Sequence, residues 1–431
     1  MTISPARQLP PWRAISAGAS ASFVGIGLAR FVYTPLLPEL IRDHWFSQTA
    51  VAYLGAANLA GYLMGALAAR PVGRRLGDPR ALRWSMVLAT LSILACCVPV
   101  SVAWFFLWRL ASGLAGGVIM VRVAGAVLPY LPDRRRGLAG GAVFIGLGLG
   151  IAATGTLIPL LLERGLRATW IGLAVLCAVL TALSWRGWPT PARTDLVASR
   201  TARPQGPAPK ERGSLKLNLA LGEYALLCVS LVPAMEFLVD FVSRGLGQGS
   251  GRGSLVWIVY GLGAILGPTA YGLLADRVGY AVALRIAAAV QVTVLGALCT
   301  VHGLLVTVLL SVVIGSFPSG IVPVFLGRVH QLVPDRPESR AAAWGKATIV
   351  SALFLALSSY GFSYLFDRSG GNHRLLFAIA VGAVVVGLLV DLACHLAPSG
   401  RGRRSGSSAE ERGPNPGAGG CSVSGQATQS R

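Results

Sequence analysis

GIGLARFVYTPLLPEL, Gly25 to Leu40, sets a fixed positive charge, Arg30, inside an apolar run. A run of that kind leaves water for lipid when it reaches roughly 20 residues. An arginine at mid-membrane costs about 2.5–3.5 kcal/mol on insertion scales, so it persists only where it faces protein or a wet cavity. The stretch therefore reads as the outer part of a first membrane helix. Tyr33 and Thr34 follow Arg30 by one turn on the same face. Pro35 and Pro38 loosen the outer end and free backbone groups that a cavity can use.

The surrounding chain has the same character. Of its 431 residues 54% are hydrophobic and 13% charged, and the mean hydropathy is +0.63. A soluble domain carries about twice that share of charge. Twelve apolar runs are expected as helices, near 14–37, 50–69, 81–99, 103–128, 138–162 and 167–185, then 219–242, 254–274, 281–301, 304–327, 341–365 and 374–397. The fold class is an all-α membrane protein of twelve transmembrane helices in two six-helix bundles. The expected domains are an arm (1–13), an N-terminal bundle (14–185), a Pro- and Arg-rich linker (186–218), a C-terminal bundle (219–397) and a Gly/Ser-rich disordered tail (398–431).

Charge placement orients the chain. With the N-terminus inside, 27 of the 38 Lys and Arg lie on the cytoplasmic face, seven on the other, and four within helices: Arg30, Arg109, Arg122 and Lys346. That asymmetry puts both termini in the cytoplasm, and it accounts for the +21 net charge without nucleic acid. The basic N-terminal arm and first run read as a retained helix rather than a signal peptide. Cys96, Cys97, Cys177, Cys228, Cys299 and Cys394 fall in apolar runs and Cys421 stands alone, so no disulfide framework or metal site is expected. Thirty-five Arg against three Lys suggest a GC-rich bacterial genome, and the expected location is the bacterial inner membrane.

The halves echo each other. LPYLPDRRRGLAGGA and HQLVPDRPESRAAAWG place Asp133 and Asp335 at matching points, and ARPVGRRLGD is answered by ADRVGY. Two six-helix halves related by an axis along the membrane normal are a transporter architecture. On these residues the chain resembles the major facilitator superfamily over nearly its whole length. Its gating-loop signature is best matched by Gly272, Asp276, Arg277 and Gly279. In the first half Gly65, Arg70, Gly73 and Arg74 remain, but Ala69 stands where the aspartate belongs, and Asp78 is an open candidate for its role. The resemblance implies a face-locking role for Asp276 and Arg277. Arg109 through Gly113 looks like the superfamily's Arg-x-x-x-Gly motif, which implies proton coupling. Gly25–Leu40 itself resembles the YbfB/YjiJ-type branch, which names no substrate.

Candidate substrate or coupling residues are Arg30, Tyr33, Thr34, Arg109, Glu236 and Asp240. A cavity guanidinium binds carboxylate or phosphate in bidentate geometry; a structural ion pair is the rival for Arg30. Glu236 and Asp240, one turn apart on the seventh helix, could partner it, and a buried carboxylate beside a cation can exchange a proton as a cavity opens. A surface position is the rival for Asp240. Asn58 and Gln291 read as helix-to-helix hydrogen bonders, Tyr62 and Trp257 as packing or cavity lining. No P-loop or HExxH is present, and the histidines are scattered. The expectation is a secondary transporter working by alternating access on a small, anionic or carboxylate-bearing molecule, driven by protons, without enzyme activity, cofactor or metal. Its partners would be substrate, lipid bilayer and protons, and it would act as a monomer. A flux-free sensor and efflux of cationic or amphiphilic compounds are the alternatives.

Overall fold

The computed structural model describes residues 10–127, 136–189, 215–300, 303–333 and 337–396. Asp133, Asp335, His302, Cys421, most of the linker and the tail from 398 lie outside them. Met1–Leu392 form one packed unit; in the second, Ala393–Arg431, the described residues 393–396 are helical.

The described chain is helical, with no strand among the described residues. In order the helices are α1 (Pro11–Arg42), α2 (Gln48–Leu76), α3 (Asp78–Ala95), α4 (Val102–Val127), α5 (Arg136–Leu162) and α6 (Leu166–Ser184). They continue with α7 (Leu215–Gly245), α8 (Ser250–Val278), α9 (Tyr280–Thr300), α10 (Leu304–Leu332), α11 (Pro337–Arg368) and α12 (His373–Leu396). Among the described residues, eleven are long and apolar enough to cross a membrane. The remaining one, α3, is only 18 residues long and includes Asp78, Arg80 and Arg83. A helix thus lies at each of the twelve expected spans, and α3 differs from the rest in the charges at its start.

Both halves carry one plan. α2 and α8 are each 29 residues long. The starts of α2, α3 and α4 (48, 78 and 102) recur 202 positions later as the starts of α8, α9 and α10 (250, 280 and 304). The turns after α2 and α8 are made by Gly77 (φ 76°) and Gly279 (φ 82°), in a left-handed conformation that glycine adopts without a Cβ penalty.

Small residues then let the helices close on each other. A Cβ at Gly61 would sit 1.9 Å from the Leu110 carbonyl oxygen, and one at Gly113 1.9 Å from that of Asn58, so α2 and α4 meet backbone to backbone. The same contact recurs between α8 and α10 at Gly263 (2.0 Å from the Val312 oxygen) and Gly315 (2.0 Å from that of Tyr260). In lipid there is no water to drive helices together, so close packing of this kind supplies the cohesion. Between the halves, α5 lies on α8, where a Cβ at Gly261 would be 2.5 Å from the Ala152 nitrogen. α11 reaches α2 through Ser363, whose hydroxyl donates to the Ala52 carbonyl at 3.1 Å. The lipid side is lined by leucines such as Leu183 and Leu305, both more than 70% exposed.

Candidate functional site

The site begins with a flaw in α1. The helix widens to a π turn over Phe23–Leu28 and is interrupted at Val32. Pro35 has no N–H for the Phe31 carbonyl, and Pro38 none for that of Thr34. Backbone groups at mid-helix are therefore open to partners from other helices, as π turns at functional sites commonly allow.

Arg109 of α4 packs on the short helical stretch between the π turn and Val32. It is 2% exposed, donates from Nη1 to the Ala29 carbonyl at 3.0 Å and from Nη2 to the Arg30 carbonyl at 3.4 Å, and lies 4.7 Å from the Tyr33 ring centre. Asn58 Nδ2 donates to the same Ala29 oxygen (3.3 Å), to the Arg109 carbonyl (3.3 Å) and to Ser112 Oγ (2.7 Å). These bonds tie α1, α2 and α4 together beside Arg30. Among the described residues Arg109 forms no ion pair, so carbonyl dipoles and a ring face carry its charge.

Arg30 is held by its backbone and left open at its head. Its guanidinium lies 5.3 Å from the Tyr62 ring centre and 5.4 Å from that of Phe31, in cation–π range. Among the described residues its one side-chain hydrogen-bond contact is with Met235 Sδ at 3.9 Å. No carboxylate lies within 4 Å of it among the described residues. Arg30 borders two voids. One, of about 70 Å³, is lined by Tyr62, Met120, Tyr224, Met235 and Trp344 among others. The other is a smaller crevice shared with Tyr33, Thr34, Asn58, Arg109 and Glu236. Ligand pockets run to roughly 300–1,000 Å³, so this is a closed form with room for a few waters beside the guanidinium.

Glu236 faces Arg30 across that crevice without touching it. Both of its carboxylate oxygens accept from the Ser359 hydroxyl, at 2.6 and 2.7 Å. Gly55 of α2 lies beside both the Tyr33 ring and the Glu236 carboxylate. Tyr33 donates to the Val51 carbonyl (2.6 Å) and Thr34 to that of Met235 (2.6 Å), and the Thr34 bond seals α1 against α7. Trp257 donates to Thr154 Oγ1 at 2.9 Å and stacks on Tyr260 at 4.7 Å, closing the floor between α5 and α8.

The other candidates go elsewhere. Asp240 is fully buried but points away from Arg30. Arg244, one turn on, embraces it, and His373 Nε2 lies 2.7 Å from its Oδ2. Arg244 Nη1 also reaches Gln48 of α2 at 3.2 Å, across the halves. The surface position open for Asp240 in sequence is thus replaced by a buried ion cluster, because α12 brings His373 over it. In the gating loops Asp276 and Arg277 are exposed and form no ion pair among the described residues. Asp78 instead pairs with Arg122, whose Nε donates at 2.7 Å. The Arg122 guanidinium fills the space left at Gly73. Arg70 lies against Gly345 of α11, Arg74 is exposed, and Gly65 packs on the Leu114 carbonyl. Gly272 and Gly279 have no neighbour crowding a Cβ. Lys346 Nζ donates to Asn218 at 2.8 Å and Gln291 to Ser230 at 2.7 Å, both between helices.

Ser112 and Ser359 are site residues that no spacing in the sequence marks. A serine in an apolar helix looks the same whether it bonds its own turn, as Ser311 does to Thr307, or a carboxylate on another helix.

Comparison with known proteins now bears on this geometry. The family described as "Uncharacterised MFS-type transporter YbfB" matches residues 22–392. A gallate transporter of Pseudomonas putida is 29% identical over 168 residues, 39% of this chain and 37% of that protein. An uncharacterised MFS-type transporter of Mycobacterium tuberculosis is 33% identical over 181 residues, 42% of this chain and 40% of that protein. The aligned stretches thus span less than half of each relative. Among solved structures a D-xylose–proton symporter superposes with a TM-score of 0.68 at 14% identity, over 88% of this chain and 96% of that one. A nucleoside transporter gives 0.68 and 14% as well, over 88% and 99%. At that identity the likeness is one of fold.

Proposed function

We propose a substrate class from the premise that this chain belongs to the YbfB-type family of major facilitator transporters: it carries a small aromatic carboxylate across the membrane, with Arg30 as the carboxylate anchor. The observation that carries the reading is the Arg30 guanidinium, set between the Tyr62 and Phe31 rings with no carboxylate within 4 Å among the described residues. A planar fork with free donors pairs with a carboxylate in bidentate geometry, and flanking rings suit an aromatic body. The related gallate transporter supports the class, gallate being an aromatic carboxylate.

The cavity is too small for such a ligand, so loading requires the halves to part, as in alternating access. Glu236, held by Ser359 and facing Arg30 across the crevice, is the group we assign to proton exchange as the cavity opens. The Lys and Arg asymmetry supports a bacterial plasma membrane with both termini cytoplasmic. A monomer is the unit we propose. The test is counterflow into proteoliposomes with a panel of aromatic carboxylates, aliphatic carboxylates, sugars and amines. Aromatic carboxylates are expected to exchange, and Arg30→Ala to abolish the exchange. Exchange of amines alone, or full activity of Arg30→Ala, would sink the assignment and favour efflux of cations.

A further inference from the structure

On the outside of the bundle, between α3 and α6, lies a groove of about 690 Å³, far roomier than the central cavity. Its walls are Val87, Leu91 and Leu183, and its floor holds Thr90 and Thr181, whose hydroxyls are 3.4 Å apart. Trp185 and Arg186 stand at its rim. Arg83 joins them: its Nε donates to the Trp185 carbonyl at 2.8 Å and its guanidinium lies 5.5 Å from the Trp185 ring centre.

The charge at that rim is unanswered. Among the described residues neither Arg83, Arg186 nor the neighbouring Arg80 forms an ion pair, and the Nη groups of Arg83 make no hydrogen bond. The repeat supplies the control. The residue 202 positions after Arg83 is Arg285, at the matching point of α9, and it is paired with Asp391 of α12. The same arginine thus has a carboxylate in the second half and an open groove in the first. Depth fits as well. Thr90 is seven residues from Arg83, about 10 Å along the helix axis, so charged rim and apolar wall follow each other as headgroup and acyl chain do. Trp12 and Trp84, 64% and 60% exposed, and Trp185 are tryptophans of the kind that sit at headgroup level.

We infer that the α3–α6 groove binds an anionic glycerophospholipid, its phosphate between Arg83 and Arg186 and an acyl chain along Leu91 and Leu183. Basic pockets between membrane helices recognise such headgroups, and each arginine near the lipid surface contributes about 1 kcal/mol, or about fivefold in affinity. The test is native mass spectrometry of the detergent-purified chain titrated with phosphatidylglycerol, with phosphatidylcholine and with glycerol 3-phosphate. Phosphatidylglycerol is expected to bind well ahead of phosphatidylcholine, and the Arg83→Gln/Arg186→Gln pair to lower its affinity about 25-fold. Leu183→Trp, which fills the groove from an exposed position, is expected to displace the lipid with the melting temperature in lipid-free detergent unchanged. That variant also answers for the site if the double substitution does not fold. Equal binding of the two lipids, or a preference untouched by the variants, would overturn the inference. Competition by glycerol 3-phosphate at matching concentration would overturn it too, marking a site for a soluble anion.

Discussion

In α2 and α4 the glycines Gly61, Gly65 and Gly113 bring backbone against backbone. In α8 and α10, 202 residues on, Gly263, Gly267 and Gly315 do the same. The side chains between them differ. Asn58, Arg109 and Ser112 form the polar clamp on α1, and their counterparts at the same offset are Tyr260, Ser311 and Ile314. Among the described residues the buried Tyr260 hydroxyl has no partner, its ring stacking on Trp257, and Ser311 bonds only its own helix. The two pairs show that scaffold and polar function are separable. Glycine spacing holds each half rigid, and the clamp on the Ala29 and Arg30 carbonyls comes from α2 and α4 of the first half.

The comparison can be broken at three points. Gly61→Leu and Gly263→Leu each drive a side chain into a backbone carbonyl. Overpacking costs about 1–3 kcal/mol where neighbours can yield and more where they cannot. Both variants are expected to lose cooperative melting in detergent. Tolerance of one alone would mean that the halves do not share a scaffold. Arg109→Ala strips the donors from the Ala29 and Arg30 carbonyls and is expected to cost about 2–4 kcal/mol. Its counterpart Ser311→Ala should stay within about 1 kcal/mol, both read from denaturation in mixed micelles. Equal losses would show that the clamp is not peculiar to the first half. The smallest contrast is Asn58→Ala, expected to cost about 1–2 kcal/mol through lost interhelical bonds, against Tyr260→Phe. The latter removes an unsatisfied hydroxyl and is expected to be neutral or slightly stabilising. A destabilised Tyr260→Phe would reveal a partner for that hydroxyl.

Much of this architecture was legible before the structure, because a membrane helix advertises itself through its length of apolar chain, and Gly25–Leu40 did so with its arginine in plain view. The loop echoes pointed to the repeat, which the helix starts carry at the same offset. Partners were harder to read. The Asp276 loop matches the superfamily signature better than the first-half loop, yet Asp276 is exposed and Asp78 holds Arg122. That outcome depends on α3 and α4 crossing near Gly73, which no local pattern states. Asp240 could be read as a surface residue because its neighbour His373 is 133 positions away. Arg109 carried a motif that implied coupling, while its observed bonds run to the α1 backbone. Whether an internal arginine meets a carboxylate or a carbonyl is decided by the broken turn it faces.

The central claim is that Arg30 reads a carboxylate. Titration calorimetry of the purified chain with an aromatic carboxylate and with its neutral amide, on the natural protein and on Arg30→Ala, tests it directly. A buried charge pair of this kind is worth about 2–5 kcal/mol when one partner is removed, so the natural protein should prefer the carboxylate by at least about 30-fold. Arg30→Ala should bind both alike. A carboxylate preference that survives intact in Arg30→Ala would contradict the account and leave Arg30 a structural residue of the α1 break.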